Sequence, residues 1–206
     1  MMKQIFSRVS LWGTIVAIAV VLSGCLGNGS PEVSYYSLLT AQQLQVGQPP
    51  VASLPEVKLG VGSVTVPDSL KRSQIATRQQ GNLYAFDEFH RWAGTLEKDL
   101  SYVLGENLEK MLELGEVGGF PWQPHFQPTY RVIVDVTRFD GDLKGEAVLS
   151  AHWVVADASG KAVLAGGKSE YRQPLAEETY AALITAESQL VAQLSHEIAV
   201  AIAALN

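Results

Sequence analysis

The sequence predicts a single α/β domain on a mixed sheet, of α/β or α+β type, with two helices packed against the sheet. Three observations carry that expectation. Residues 130–139 alternate at strand period, with Tyr130, Val132, Val134 and Val136 on one face and Arg131, Ile133, Asp135 and Thr137 on the other. Residues 95–114 and 179–205 instead repeat apolar side chains every three or four positions, the period of an amphipathic helix. The order of elements, strands then a helix then a three-strand meander then a helix, suits one layered domain with no internal repeat.

Taken along the chain, residues 33–39 hold Tyr35-Tyr36-Ser37-Leu38, a short strand of aromatic β-formers, and residues 41–55 are polar and proline-containing, a loop. Residues 57–66 alternate as Val57, Leu59 and Val61, slip at Gly62-Ser63, and resume with Val64 and Val66, a buried strand with a bulge at the glycine. Residues 74–78 and 83–89 flank Gly81-Asn82, a hairpin turn. The helix at 95–114 presents Leu96, Leu100, Val103, Leu104, Leu108, Met111 and Leu112, with Gly115 placed to cap it. Pro121, Pro124 and Pro128 make 118–128 a loop. Residues 146–156 and 162–172 form two further strands joined at Asp157-Ala158-Ser159-Gly160. The closing helix carries Leu183, Ala186, Leu190, Leu194, Ile198 and Ile202 on its stripe, with Glu187, Gln193 and Glu197 off it.

The amino terminus needs a separate account. Lys3 and Arg8 form a positive region, and residues 11–22 are an apolar run broken only by Gly13 and Thr14. That run is shorter than the roughly 20 residues of a comfortable membrane span and suits a secretory signal peptide. Leu22-Ser23-Gly24-Cys25 follows at once and resembles the lipobox of bacterial lipoproteins, in which the cysteine is acylated and becomes the first residue. The expected division is therefore 1–24 signal peptide, 25–31 lipidated Cys25 and tether, and 32–206 folded domain. The acyl chains, at about 0.8 kcal/mol per buried methylene, would hold the protein on a membrane essentially permanently. Leu26 rather than aspartate after the cysteine implies, by analogy with enterobacterial sorting, lipid anchoring in the outer membrane, facing the periplasm.

Composition excludes several functions. The 206-residue chain holds 15 basic against 21 acidic residues, a net charge of −6, and loss of Lys3 and Arg8 with the leader takes this to −8. An acidic chain without a basic cluster is not built to bind nucleic acid. One cysteine makes neither an intramolecular disulfide nor a thiolate zinc site. The histidines His90, His125, His152 and His196 have no metal-ligand spacing, so no metal or cofactor is expected. Ser63 stands among glycines but not in a G-x-S-x-G elbow, and phosphate-binding loops are absent. The expectation is a protein that is not an enzyme. Tyr35, Tyr36, Trp92, Trp122 and Trp153 are either core packing or an apolar surface for a lipid or a partner.

With a lipobox, Tyr35-Tyr36-Ser37-Leu38, and a strand running into Val64-Thr65-Val66-Pro67-Asp68-Ser69-Leu70, the chain resembles the ABC-type transport auxiliary lipoproteins. The likeness continues through Ile75-Ala76-Thr77-Arg78, Glu88-Phe89-His90-Arg91-Trp92-Ala93, the strand from Val132 to Gly141, and the closing helix, so it covers nearly the whole chain. Gly94-Thr95-Leu96 departs from the family pattern where the first long helix begins. The resemblance implies a three-layer α/β/α domain with a mixed, roughly five-stranded sheet, similar to the amino-terminal domain of TolB. It also implies an outer-membrane partner of an MCE-domain lipid carrier, with an inner-membrane permease or ABC transporter at the other end.

Within that reading the domain either docks and positions the carrier, alone or as a homo-oligomeric ring, or binds lipid itself. The hydrophobic inventory is mostly needed by one core, which favours docking. A lipoprotein regulating a periplasmic or cell-wall partner is the rival from another class, but it needs a longer stalk than residues 26–31 provide. Cys25 is the expected lipidation site. Tyr35, Tyr36 and Leu38 are expected either as an edge strand beside residues 57–66 or as a docking element, and Trp92 as a core anchor or a partner contact.

Overall fold

A β-strand centred on residues 130–141 organises the molecule. The structure, a computed structural model, describes residues 31–46, 49–79 and 82–206. The signal peptide, Cys25, the tether up to Ser30 and the turn residue Gly81 lie outside the described residues. Val33–Asn206 is one compact unit.

The strands are β1 (Ser34–Tyr36), β2 (Lys58–Thr65), β3 (Gln74–Gln79), β4 (Leu83–Trp92), β5 (Glu116–Gly119), β6 (Tyr130–Gly141), β7 (Glu146–Asp157) and β8 (Val163–Pro174). The helices are α1 (Leu96–Leu112) and α2 (Tyr180–Ala203). All eight strands join one mixed sheet. β2 runs parallel to β6 and β5 parallel to β2, while β7 and β8 continue antiparallel on the other side of β6. β4 and β3 form a hairpin, β1 lies parallel to β4, and this trio meets β6 through the single pair Thr77–Gly141.

Two implications of the resemblance are corrected. The sheet has eight strands rather than about five. The seven strand segments read from the residues are present, and the eighth, β5, hides where glycines and prolines suggested a loop. Nor are there three layers. α1 packs on β2 and β5, α2 packs on β7 and β8, and the helices also touch each other, so both lie on one face. Val132, Val134 and Val136 of β6 are buried beneath them, whereas Ile133, Asp135 and Thr137 on the opposite face are exposed. The strict alternation of β6 is the signature of a sheet with one wet face.

The slip at Gly62-Ser63 is a register shift between Val61 and Val64 against β6, as the sequence predicts. β1 pairs with β4, not with β2, so the expected neighbour of Tyr35 and Tyr36 is replaced. Gly115 does not cap α1: Glu113 takes the left-handed conformation (φ 46°) and its N–H returns to Glu109 O. The carbonyls of Met111 and Leu112 accept the N–H groups of Val51 and Leu54 at 2.7 and 2.8 Å. Gly115 is required for another reason, since a Cβ there would sit 2.3 Å from the Pro55 carbonyl oxygen.

Candidate functional site

Leu38, the residue two beyond β1, is buried, and its N–H donates to Asp99 Oδ2 of α1 at 2.7 Å. Leu39 N–H donates to Ser188 Oγ of α2 (3.0 Å) and Ala41 N–H to Asn107 Oδ1 of α1 (2.8 Å). Asn107 in turn donates to Ser195 Oγ at 3.2 Å. Side chains of both helices thus fasten the segment that leads in from the amino terminus, which turns a non-repetitive stretch into a rigid attachment. Burial raises the Asp99 carboxyl above its ordinary range, against the lowering effect of the Leu38 N–H.

The other expected contact residues separate by exposure. Trp92 is in the core beside Tyr36, with its N–H on Ser73 O at 2.7 Å. The Tyr36 hydroxyl bonds His90 Nδ1 at 2.9 Å, and the His90 ring stacks on Tyr180 at the start of α2, centroids 3.9 Å apart. Tyr35 points outward and is 65% exposed. Trp153 is buried, and Trp122 lies against the wet face of the sheet with the Arg131 guanidinium 5.2 Å from its ring.

Two polar clusters were not singled out in the sequence. Asp140, wholly buried in β6, accepts from Arg78 Nη2 (2.8 Å) and Nε (3.1 Å), from Arg138 Nε (3.0 Å) and from the Tyr84 hydroxyl (3.0 Å). Desolvation pushes the Asp140 carboxyl up, but the combined bonds and charges of the two arginines outweigh it and hold it below its usual range. Glu187 of α2 is buried with no hydrogen-bond partner for Oε2, and burial together with the nearby Asp140 raises its carboxyl well above the ordinary value. Glu187 was expected off the apolar stripe, but it falls between Leu183 and Leu190 on the buried side. Further along α2, Trp153 Nε1 donates to Ser169 Oγ (3.1 Å), and Ser169 and Tyr171 both donate to Glu197 Oε2. Burial, reinforced by Glu197, pushes the Tyr171 phenol up to about 12.

An open groove of about 450 Å³ lies between the outer flank of α1 and the ends of β2 and β5. Val61, Val64 and Val117 form its apolar floor, and Gly105 of α1 faces it. Tyr102 (62% exposed) and Phe120 (58% exposed) stand as its walls, with Glu97, Glu106, Glu109 and Lys98 among its rim residues. Ser63 lines it, but none of the four histidines does. Among the described residues no three His, Cys, Asp or Glu converge to hold a metal, and no helix is long and apolar enough to cross a membrane.

A mixed sheet wet on one face, two helices that fasten the incoming amino-terminal segment, and an open groove beside the first of them define the class of α/β domain that the chain forms. The chain belongs to the family of ABC-type transport auxiliary lipoprotein components, whose model matches residues 36–199. It is similar to the intermembrane transport lipoprotein PqiC of Escherichia coli K12, 30% identical over 142 residues that span 68% of this chain and 72% of PqiC. PqiC of Shigella flexneri matches to the same extent. Two crystal structures share the fold. One is of an uncharacterized protein (TM-score 0.67, 24% identity, 82% of this chain and 97% of that one). The other is of protein XCC0632 from Xanthomonas campestris (TM-score 0.67, 17% identity, 81% and 93%).

Proposed function

We propose that this chain is the outer-membrane lipoprotein component of an MCE/ABC-type intermembrane lipid transport system, where it docks or positions the periplasm-spanning carrier. The observation that carries the reading is the likeness to PqiC, an intermembrane transport lipoprotein, within a family of transport auxiliary components. Cys25 is the residue that carries the lipid. Eight residues separate it from Ser34, the start of β1, and the nine steps between them, at about 3.3 Å each, reach no more than about 30 Å. The domain then stays near the bilayer, too close to regulate a cell-wall enzyme without the wall coming to it. The stitching of Leu38, Leu39 and Ala41 to both helices supplies the stiff connection that a positioning part needs. Tyr35, exposed beside the attachment, is the partner-contact residue of the amino-terminal strand, while Tyr36, Leu38 and Trp92 hold that strand in place.

The test is affinity purification of the full lipidated chain from membranes, followed by mass spectrometry of co-purifying proteins and lipids. An MCE-domain carrier, with its permease or ABC transporter, is the expected result. A cell-wall synthase alone would support the regulatory reading, and stoichiometric phospholipid without a protein would support a lipid-binding module; either result contradicts the proposal.

A further inference from the structure

The groove exists because a strand stops short. β5 ends at Gly119 opposite Val61, and Phe120 N–H makes the last bond along that edge, to Val61 O at 2.9 Å. β2 continues through Ser63, Val64 and Thr65 with β6 on one side and, among the described residues, no strand on the other. Backbone N–H and C=O groups on such an edge are a template for an incoming strand. The missing stretch spans three residues of β2, about 10 Å at roughly 3.3 Å per residue. Beside it lie the apolar floor of Val61, Val64 and Val117, and the exposed rings of Tyr102 and Phe120.

We infer that this notch receives an extended segment of a partner protein, which adds as a strand beside Ser63–Thr65, seats an aliphatic or aromatic side chain between Tyr102 and Phe120, and meets the rim with lysine or arginine. The occupant is set by charge. Glu97, Glu106 and Glu109 line the groove from α1, with Lys98 of the same helix the one cation among its lining residues, and among the described residues Glu97 and Glu106 are in no ion pair. A phospholipid headgroup would bring phosphate against three carboxylates. A second copy would bring an acidic surface, and Arg172 on the long free edge of β8 is already bound to Glu146 and Glu170. The inference rests on the docking reading and adds to Tyr35 a second contact, at the β5 end of the sheet.

The test is photocrosslinking of the full lipidated chain in its envelope, with benzoylphenylalanine replacing Ser101 in the groove and, as a control, Val163 on the opposite edge. The expected result is a Ser101-specific crosslink to one protein, mapped to a segment with at least two lysines or arginines. The product should fall at least tenfold in Glu106→Lys/Glu109→Lys and in Tyr102→Ser, and persist in Glu177→Lys. Tyr102 and Glu177 are exposed and Glu106 and Glu109 half-buried, and thermal melts matching the wild type show that the loss is one of contact. Crosslinks to phospholipid, to a second copy, or equally from Val163 overturn the inference. An absent crosslink while the carrier still co-purifies also overturns it but leaves the docking reading standing; absence of both overturns the two together.

Discussion

Glu187 sits where helix geometry would put a leucine, four residues after Leu183 and three before Leu190. Full burial of each leucine contributes about 1.5–3 kcal/mol. An unpartnered buried polar group costs about 1–3 kcal/mol, so the stripe tolerates the carboxyl while it stays protonated. Its folded pKa is raised above the ordinary 4.5, so this group's stability contribution is fully present below that value and is lost as pH rises toward the folded pKa. Glu187→Gln should therefore flatten the decline of Tm as pH rises above 4.5. Each kcal/mol recovered at the upper end should appear as about 2–4 °C in a domain of this size. Asp140 behaves oppositely. Its lowered pKa gives stability that is present above its ordinary 3.8 and lost as pH falls through the folded value. Asp140→Asn should cost about 3 kcal/mol at neutral pH in chemical denaturation, the lower end for a broken buried pair because Arg78 and Arg138 are partly exposed. The sequence marks neither role. Asp140 lies 62 residues from Arg78, a pairing made by the Thr77–Gly141 junction, and Glu187 reads as polar only while the stripe is taken to be narrower than it is.

At the scale of elements, α1 shows how backbone rules are met or bent. Gly105 is buried in its middle, and a Cβ there would meet Val117 and Val61 side chains at 3.5 and 3.7 Å, ordinary contact. Gly105→Ala should then stabilise the domain by about 0.5–1 kcal/mol, seen as a rise in the denaturation midpoint at unchanged slope. Glu113→Gly should also stabilise, by up to about 1 kcal/mol, because only the left-handed cap conformation is at issue. Strict period-2 alternation made β6 legible, and helical period made α1 and α2 legible to within two residues. β5 was not legible. It has four residues, two of them glycines, and its strand character comes from lying against β2 rather than from its own side chains. The groove was invisible for the same reason, since it is defined by where β5 stops.

On the proposed reading, the whole molecule divides its labour between a lipid tether and a folded body. The order of short motifs carried the family, while the lipidation expected from Leu22-Ser23-Gly24-Cys25 lies outside the described residues. The layer count was less accessible. Two amphipathic helices announce that a sheet face is covered, but whether they cover one face or two depends on which strands they cross, and here α1 and α2 lie side by side. That leaves the opposite face of β6 wet and the helix side holding both the bonds to the amino-terminal segment and the groove. The most direct measurement is the distribution of the MCE-domain carrier between separated inner and outer membranes, in cells making the wild-type chain or Cys25→Ala. Carrier found in both fractions with the wild type, and lost from the outer membrane with Cys25→Ala, is the result this account predicts; a carrier whose distribution ignores the substitution would contradict it.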